Sequence, residues 1–403
     1  MNLNEMKHKY AYTLARVGLN VQKGQTVLVE AALEGHDFTP IFAEECYKLG
    51  ASNVIITYLD TENLKVRAHY TDPEEMRQVD PVLKDYYQYY LDRGACYVRL
   101  EGVNPKAMAS VPESEGSSIF AYTDAVRNIM RKASRTLRAR WLIAMIPTRE
   151  WADFILPEKE DNLTELWKLL LKLCYIDDEN DPVETWKNLQ AERNKRGLAI
   201  DALHLKSLHY TASNGTDLTV GLTPVSRFGH EIRKDLPMDY LPFTPNIPSE
   251  EICTTPEKYA TEGVVYASRP LVLGGKSIEN FGFRFEKGKV TEVLAGEGKE
   301  MLENLIRTDE NASYLGECAL VAYHSPISMS GLVYYTTLID ENASCHLALG
   351  RGLNAQAPGG AGYTFNDSSI HIDFMIGTPD LRIVGTDEEG REHVIFSEGD
   401  FAL

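Results

Sequence analysis

The sequence predicts an α/β protein in which an N-terminal, mostly parallel α/β domain precedes a mixed α+β domain. The chain has 403 residues, more than one hydrophobic core usually accommodates, so two domains are expected. β-rich runs alternate with helical stretches in the first part of the chain, whereas short β-rich segments and turns dominate after about residue 203. We therefore predict domains at residues 1–202 and 203–403.

The predicted strands and helices of the first domain follow one another in the order of βαβ units. A β-rich run at Gln25–Glu30 precedes a helical stretch at Thr39–Leu49 and a second strand at Asn53–Tyr58. Two further strands are predicted at Ala95–Leu100 and Trp141–Ile146. Strands that alternate with helices in this way form a mostly parallel sheet whose faces are covered.

Net charge and motif content argue against several classes of function. Lys and Arg total 41 and Asp and Glu total 59, which gives a formal net charge of −18. Such an acidic surface repels phosphate backbones and anionic lipid, so neither nucleic acid nor a membrane is an expected partner. Neither GxGxxG nor GxxxxGK[ST] occurs after a predicted strand, so the sequence gives no support for a nucleotide cofactor.

Cysteine usage and the N-terminal residues predict a cytoplasmic protein. The six cysteines are scattered singly and form no CxxC pair, a pattern that fits a reducing compartment. The first 20 residues resemble a charged amphipathic helix rather than a signal peptide, and no apolar run approaches 18 residues.

A basic stripe occurs on a predicted helix between Thr123 and Arg140. Arg127, Arg131 and Arg135 are spaced one turn apart and share a helix face. Such stripes are usually a solvated face or a subunit contact, and less often an anion or partner site. The sequence leaves both interpretations open.

The C-terminal half contains four short segments rich in residue types that bind metal ions. They are NIPSEEICT (246–254), YLGECALV (314–321), DENASCHLALGRG (340–352) and SSIHIDFMIG (368–377). The last segment alternates as a strand does, so His371 and Asp373 point to one face and the neighbouring isoleucines to the other. Taken alone, such a pair is more often structural than metal-binding.

The other segments supply further candidates. Glu317 lies in an apolar run, where a carboxylate is costly to bury unless it is paired with a cation. His346 precedes an apolar run and resembles a core histidine, while Glu341 is a second possible donor. Nothing distinguishes Cys345 as a nucleophile from a buried thiol. The Glu250–Glu251 pair follows Pro248 and could simply open a helix.

Together these residue types fit a binuclear metal site. Two histidines and several carboxylates, without a regular cysteine pattern, suit Zn²⁺, Co²⁺ or Mn²⁺. Two ions about 3.5–4 Å apart can share a bridging carboxylate and a bridging water. Such a pair would bind a peptide amine, polarise the scissile carbonyl and supply hydroxide near neutral pH.

The four segments resemble those of the metalloaminopeptidase family typified by aminopeptidase T, aminopeptidase S and PepS. The likeness extends over almost the whole chain. It includes ARVGLNVQKGQTV (15–27), IPTREWA (146–152), DPVETW (181–186) and GTDLTVGL (215–222). The resemblance implies an α/β N-terminal domain, a C-terminal metal-binding domain and a homodimer with sheltered active sites.

The resemblance also implies the site residues and the reaction. Its metal ligands fall on Glu251, Glu317, His346, His371 and Asp373, with Glu341 as a further donor. Glu317 corresponds to the bridging ligand, and Glu250 is a candidate for the residue that shuttles a proton to the leaving amine. The predicted function is removal of N-terminal residues from short peptides by a two-metal aminopeptidase that uses a metal-activated hydroxide.

Two departures from the family pattern keep alternatives open. Leu353 stands where the family usually has a tyrosine thought to assist catalysis, and Tyr363 is a candidate replacement for that phenol. His324 stands where an acidic residue is common, as an extra ligand or as a surface histidine.

Two other functions therefore fit parts of this pattern. Two histidines and one carboxylate also form the iron site of ring-cleaving non-haem dioxygenases, but such a site does not need Glu251 and Glu317 as well. A non-catalytic relative that binds only metal or peptide is opposed by the complete ligand set.

Overall fold

The computed structural model describes residues 1–135, 139–229, 243–273, 276–352 and 365–403. Contacts divide these residues into two compact units, one of Met1–Lys187 with residues 243–248 and one of residues 188–229 and 249–403. The domain boundary predicted between residues 202 and 203 stays a prediction, because a division by contacts does not test which segments fold independently. Leu353 and Tyr363 lie outside the described residues, as do Arg138 and the side chain of Arg135.

Several of the helices begin at residues whose side chains cap them. In chain order they are α1 (Leu3–Thr13), α2 (Thr39–Lys48), α3 (Thr61–Tyr70), α4 (Pro73–Met76), α5 (Pro81–Leu91), α6 (Glu113–Arg135), α7 (Arg149–Ile155), α8 (Asn162–Leu173), α9 (Pro182–Asp201), α10 (Lys299–Leu305), α11 (Pro326–Met329) and α12 (Thr337–Asp340). Before α1, Asn2 and Glu5 form a capping box in which each side chain accepts a hydrogen bond from the other backbone N–H. Before α5, Asp80 caps the helix and Pro81 occupies its first position.

The strands form one parallel and several antiparallel sheets. They are β1 (Thr26–Ala32), β2 (Asn53–Leu59), β3 (Cys96–Glu101), β4 (Trp141–Met145), β5 (Leu205–Thr211), β6 (Asp217–Gly221), β7 (Asn246–Ile247), β8 (Ile252–Thr254), β9 (Thr261–Tyr266), β10 (Leu271–Leu273), β11 (Lys276–Ile278), β12 (Gly282–Glu286), β13 (Lys289–Leu294), β14 (Leu315–Leu320), β15 (His346–Gly350), β16 (His371–Met375), β17 (Arg382–Asp387), β18 (Glu392–Ser397) and β19 (Asp400–Phe401). Short helical turns occur at Leu14–Gly18, Leu33–Gly35 and Glu341–Ala343.

The first unit contains a parallel sheet with the strand order β2-β1-β3-β4-β7. All of its strand pairs are parallel. Each of the four strands predicted in the first 150 residues is present, and the helix expected at Thr39–Leu49 corresponds to α2. The predicted parallel α/β architecture is therefore confirmed.

The second unit is built mainly from antiparallel sheets. An eight-stranded sheet has the order β13-β12-β9-β6-β5-β17-β18-β19, and a four-stranded sheet has the order β16-β15-β14-β8. The two sheets share one apolar core. Phe283 of the eight-stranded sheet and Phe374 of the four-stranded sheet have ring centroids 5.2 Å apart. The four-stranded sheet thus buries one face and leaves the other for polar residues.

None of the helices in the described part of the chain is both long and apolar enough to cross a lipid bilayer.

Candidate metal centre

The register of the four-stranded sheet places most of the predicted ligands on one face. Glu317 of β14 pairs with Ala348 of β15, which pairs with Asp373 of β16. His371 and Asp373 are two residues apart on β16 and therefore share this face, as do His346 and Ala348 on β15. The register thus brings side chains from three separate sequence segments into one space.

Glu251 reaches the same face from the start of β8. Cys253 pairs with Ala319 of β14, and Glu251 lies two residues before Cys253. Alternation along a strand therefore gives Glu251 the same direction as Glu317, which lies two residues before Ala319. Ala319 and Ala348 have small side chains, so they leave space between the larger polar ones.

The opposite face of this sheet is apolar. Cys318, Leu347 and Phe374 form the neighbouring row across β14, β15 and β16, and all three are buried in the core. Because a strand alternates, burying this row fixes the direction of the polar row. The core therefore determines where the candidate ligands point.

Two groups of possible metal ligands share one carboxylate. One group is Glu251, Glu317 and His346, and the other is Glu317, His371 and Asp373. Within each group the donor atoms lie within 4.8 Å of one another. His346 Nε2 lies 3.2 Å from Glu251 Oε2, and His371 Nε2 lies 3.1 Å from Glu317 Oε2. His371 Nε2 also lies 3.5 Å from Asp373 Oδ1.

Backbone carbonyls fix the orientation of both imidazoles. The Nδ1 atom of His371 lies 2.7 Å from the carbonyl oxygen of Arg351, and Nδ1 of His346 lies 3.3 Å from that of Ser344. A carbonyl only accepts hydrogen bonds, so in each ring Nδ1 carries the proton. When the ring is neutral, Nε2 therefore presents its lone pair to the carboxylates, as metal-binding histidines do.

Burial and crowding perturb the carboxylates. Burial raises the pKa of Glu317, and the neighbouring carboxylates Glu251 and Asp373 raise it further. The pKa of Glu341 lies well above its usual range because of burial and because of the nearby charges of Asp373 and Glu251. For Asp373, burial raises the pKa, but His371 outweighs this effect and the net shift is downward.

The donor set fits bound cations. Four carboxylates, those of Glu251, Glu317, Glu341 and Asp373, accompany two imidazoles. In the part of the chain that the structure describes, no lysine or arginine forms an ion pair with these carboxylates. A buried cluster with this excess of negative charge requires protons or cations for compensation. Divalent ions would supply that charge.

Glu341 and Glu250 lie beside the two groups rather than in them. Glu341 is buried on the short helical turn Glu341–Ala343, and the donor atoms that define the two groups do not include its carboxylate. Glu250 is half-buried, and its backbone N–H donates to Asn342 Oδ1 at 2.6 Å. The catalytic role of Glu250 stays a prediction.

Asn342 is a site residue that the sequence did not single out. It is fully buried, and its Nδ2 donates to the Leu338 carbonyl at 3.0 Å and lies 3.4 Å from Glu341 Oε1. Together with the bond from Glu250, these contacts connect the segment that carries Glu251 to the turn that carries Glu341. The only available signal was its place between ligand-type residues in DENASCH, and an asparagine there does not itself indicate a role.

Two other candidates have structural explanations. Cys345 is buried, its Sγ contacts the backbone of Val321, and burial raises the pKa of its thiol to about 12. It is therefore a core residue rather than a nucleophile. The His324 side chain is 61% exposed and its Nδ1 lies 3.4 Å from Asp400 Oδ2, so it is a surface histidine.

Comparison with known proteins identifies the family to which the chain belongs. The sequence profile of the thermophilic metalloprotease (M29) family matches residues 3–401. The chain is 31% identical to aminopeptidase AmpS of Bacillus subtilis over 100% of both chains. It is 33% identical to aminopeptidase T of Thermus thermophilus over 97% of each. The solved structure of wild-type AmpT from Thermus thermophilus matches with a TM-score of 0.90 and 30% identity over 100% of both chains.

A second solved structure shares the fold at low sequence identity. The 2,5-dihydroxypyridine dioxygenase of Pseudomonas putida KT2440 matches with a TM-score of 0.56 and 14% identity, over 100% of this chain and 98% of the dioxygenase. An identity this low shows a related fold and does not transfer an activity.

The comparisons confirm the predicted α/β fold class and the predicted enzyme class, a metallo-aminopeptidase hydrolase. Use of a divalent metal follows at the level of the family, and the two ligand groups are compatible with it. The chain therefore belongs to the thermophilic metalloprotease (M29) family.

Proposed function

We propose that this protein is a two-metal aminopeptidase that removes N-terminal residues from short peptides. The observation that carries the proposal is the position of Glu317, which belongs to both ligand groups. A carboxylate shared by two groups, each with its own histidine, is the arrangement expected for two neighbouring cations with one bridging ligand.

The residues divide between two ions. Glu251, Glu317 and His346 would hold one ion, and Glu317, His371 and Asp373 would hold the other, with Glu341 as a further donor. Nitrogen and oxygen donors of this kind suit Zn²⁺, Co²⁺ or Mn²⁺. When bound, the ions would polarise the scissile carbonyl and lower the pKa of water toward neutrality.

The metal centre accounts for the preference for a free N-terminus. The four carboxylates around two imidazoles would offset the charge of the bound ions, and those ions would accept the lone pair of a free α-amine, which an acetylated N-terminus cannot provide. The half-buried Glu250 lies next to Glu251 in sequence, and we assign its carboxylate the transfer of a proton to the leaving amine. An acidic protein with a net charge of −18 also favours a cationic peptide terminus over nucleic acid.

Compartment and assembly complete the proposal. We place the protein in the cytoplasm, because all six cysteines are free thiols buried in the fold, as in proteins of reducing compartments. We also propose a homodimer, on the family resemblance alone. Light scattering during size-exclusion chromatography would measure the mass directly, and a 45.3 kDa particle would contradict the dimer.

Metal reconstitution tests the reaction. The protein is stripped of metal, supplied with Zn²⁺, Co²⁺ or Mn²⁺ separately, and assayed with Leu-p-nitroanilide and with short peptides whose N-terminus is free or acetylated. We expect hydrolysis of the free peptides, no hydrolysis of the acetylated ones, and two ions per chain by elemental analysis.

Two histidine variants provide a matched control. His371→Ala removes a ring from one ligand group, whereas His324→Ala removes an exposed ring outside both groups. Activity should be lost in the first variant and kept in the second. If two ions bind but no metal supports hydrolysis of any peptide, the proposed reaction is wrong. Oxygen consumption with aromatic diols is then the next assay.

A further inference from the structure

A polar row crosses one face of the parallel sheet in the first unit. Glu30 of β1 pairs with Thr57 of β2 on one side and with Arg99 of β3 on the other. Two residues earlier along these strands, Leu28 pairs with Ile55 and with Tyr97 on the same face. The face therefore changes from apolar to charged toward the carboxyl ends of the strands.

Helices α5 and α6 cover this face unevenly. Over the apolar row, Tyr87 of α5 and Met130 of α6 pack against Leu28 and Tyr97 in a buried cluster. Over the polar row and the adjoining part of the apolar row, the two helices leave a pocket whose apolar lining includes Ile55, Val126 and Met130. Its polar lining comes from Glu30, Thr57, Tyr86, Arg99, Arg127 and Arg131.

The pocket lies beside the topological switch point of the sheet. The chain places β2 on one side of β1 and then β3 on the other, so the direction of strand addition reverses between β1 and β3. In open α/β sheets, ligands commonly bind near the carboxyl ends of the strands at this reversal. Glu30 and Arg99 lie in the carboxyl halves of the two strands concerned.

Each of the three arginines of the pocket has a carboxylate partner. The ion pairs are Arg127–Glu30 at 3.0 Å, Arg99–Glu101 and Arg131–Asp124, and Arg131 also donates to the backbone carbonyl of Asp124. A guanidinium has five N–H donors, so the one carboxylate oxygen that pairs with Arg99 satisfies only part of its capacity. Among the described residues, Arg99 Nε is shielded from solvent and has no hydrogen-bond partner. Burial, and to a smaller extent the nearby charge of Arg127, lowers the pKa of Arg99 to about 9.

We propose that this pocket binds a small oxyanion, a phosphate or carboxylate group, through the guanidinium groups of Arg99, Arg127 and Arg131. Guanidinium groups recognise both anions through paired, charge-assisted hydrogen bonds. In this proposal Arg127 and Arg131 of α6 serve as an anion site facing the sheet rather than as part of a solvated face. The site shares no residue with the metal centre, so the proposal does not depend on the peptidase reaction.

Calorimetric titration of the full chain tests the site. The metal-loaded protein is titrated with inorganic phosphate and, separately, with acetate at constant ionic strength. We expect Arg127→Gln to weaken binding of the preferred anion by about 10- to 100-fold, the usual effect of losing a hydrogen-bonded charge. The control Arg77→Gln removes an exposed arginine that pairs with Glu74 on the surface, and this variant should bind the anion as tightly as the wild type does.

A second variant changes the affinity in the opposite direction. Glu30→Gln removes one carboxylate from the pocket while the amide can still contact Arg127, so the same anion should bind several-fold more tightly. If Arg127→Gln does not fold, this variant decides alone, and unchanged or weaker binding by Glu30→Gln overturns the proposal.

The remaining outcomes are equally decisive. Equal affinity in the wild type and all variants would place the anion elsewhere, for example at the metal ions, and would overturn the proposal. Absence of binding of both anions at millimolar concentration overturns it as well. If one anion binds and responds to the two variants, that anion identifies the chemical group for which the pocket is built.

Discussion

The two polar clusters of this protein compensate their charges in different ways. In the metal centre, four carboxylates accompany two imidazoles, and no lysine or arginine of the described chain pairs with those carboxylates. In the arginine pocket of the first unit, each of three guanidinium groups has a carboxylate partner. The first cluster is therefore incomplete without a bound cation, whereas the second is neutral overall without any ligand.

This difference predicts which cluster should depend on its ligand for stability. The pKa of Glu341 lies well above its usual range because burial and neighbouring carboxylates disfavour its charged form. A cation would reverse that effect, so loss of metal should weaken the fold around the four-stranded sheet. Loss of an anion from the arginine pocket should matter less, because the ion pairs remain.

The largest effect is expected from Glu317→Gln, because this residue belongs to both ligand groups. We expect peptide hydrolysis to fall by more than about 10³-fold, or roughly 4 kcal/mol in activation free energy. Elemental analysis should show weakened binding of both ions. His346→Ala, which affects a single group, should preferentially lose one ion.

The control for this prediction is Glu303→Gln, which neutralises a surface glutamate paired with Arg307. It should keep both ions and full activity. If Glu317→Gln instead keeps one tightly bound ion, the two groups are independent, and the assignment of Glu317 as a shared ligand is wrong.

Metal removal should change the pH dependence of stability. In the metal-free protein, burial lowers the pKa of His346, but Glu251, Asp373 and Glu317 outweigh burial and raise the pKa to about 10. The stabilising contribution of His346 is thus complete below its unfolded pKa of about 6.5 and is lost as the pH rises through about 10. Bound metal requires the neutral ring, so metal affinity rises with pH instead.

The measurement is the midpoint of thermal unfolding at several pH values, with and without metal. We expect the metal-free midpoint to fall by several degrees from about pH 6.5 to about pH 9.5 and the metal-loaded midpoint to hold or rise. Parallel pH profiles for the two forms would show that the imidazole does not exchange its proton for a metal ion.

The sequence predicted those parts of the fold that depend on the local pattern of apolar and polar residues. The strands of the parallel sheet are apolar runs bounded by turns, and all four predicted strands are present. The alternation around His371 and Asp373 also predicted β16 and the common face of these two residues. What a single sequence could not show was the row Glu317–Ala348–Asp373, because pairing between distant strands sets that register.

Other features of the two clusters had no sequence signal. The carbonyl of Arg351 orients His371, but a backbone group has no signature in the side-chain sequence. The basic stripe of α6 favoured a solvated face, yet the Arg127 and Arg131 side chains are only 27% and 28% exposed. They face the sheet because Met130, on the same stretch of helix, packs against β1 and β3.

A smaller effect is expected from Asn342→Ala. This substitution tests whether the Asn342 amide holds the segments of Glu251 and Glu341 in place at the metal centre. The substitution leaves the Glu250 N–H and the Leu338 carbonyl without the amide that now contacts them. We expect a loss of about 1–3 kcal/mol in the free energy of unfolding and a decrease of about 10- to 100-fold in metal affinity or activity. Denaturant unfolding and metal titration measure the two quantities.

The matched control is Asn304→Ala, an exposed asparagine of α10, which should leave metal affinity unchanged. A variant of Asn342 that loses stability but binds metal normally would show that the amide supports the fold and not the ligands. Such a result would distinguish the contribution of Asn342 to the stability of the fold from its contribution to metal binding.

The smallest effect is expected at a third group of possible ligands, His8, Glu44 and Glu45 in the first unit. Here the comparison of the two clusters predicts no metal, because Lys48 Nζ lies 2.8 Å from a carboxylate oxygen of each glutamate and offsets part of their charge. Glu44 is also 54% exposed, so water solvates it. Glu44→Gln should therefore keep two ions per chain and full hydrolysis. Loss of an ion in this variant would mean that a paired lysine does not prevent metal binding. Charge compensation would then not distinguish the metal centre from other groups of possible ligands in the protein.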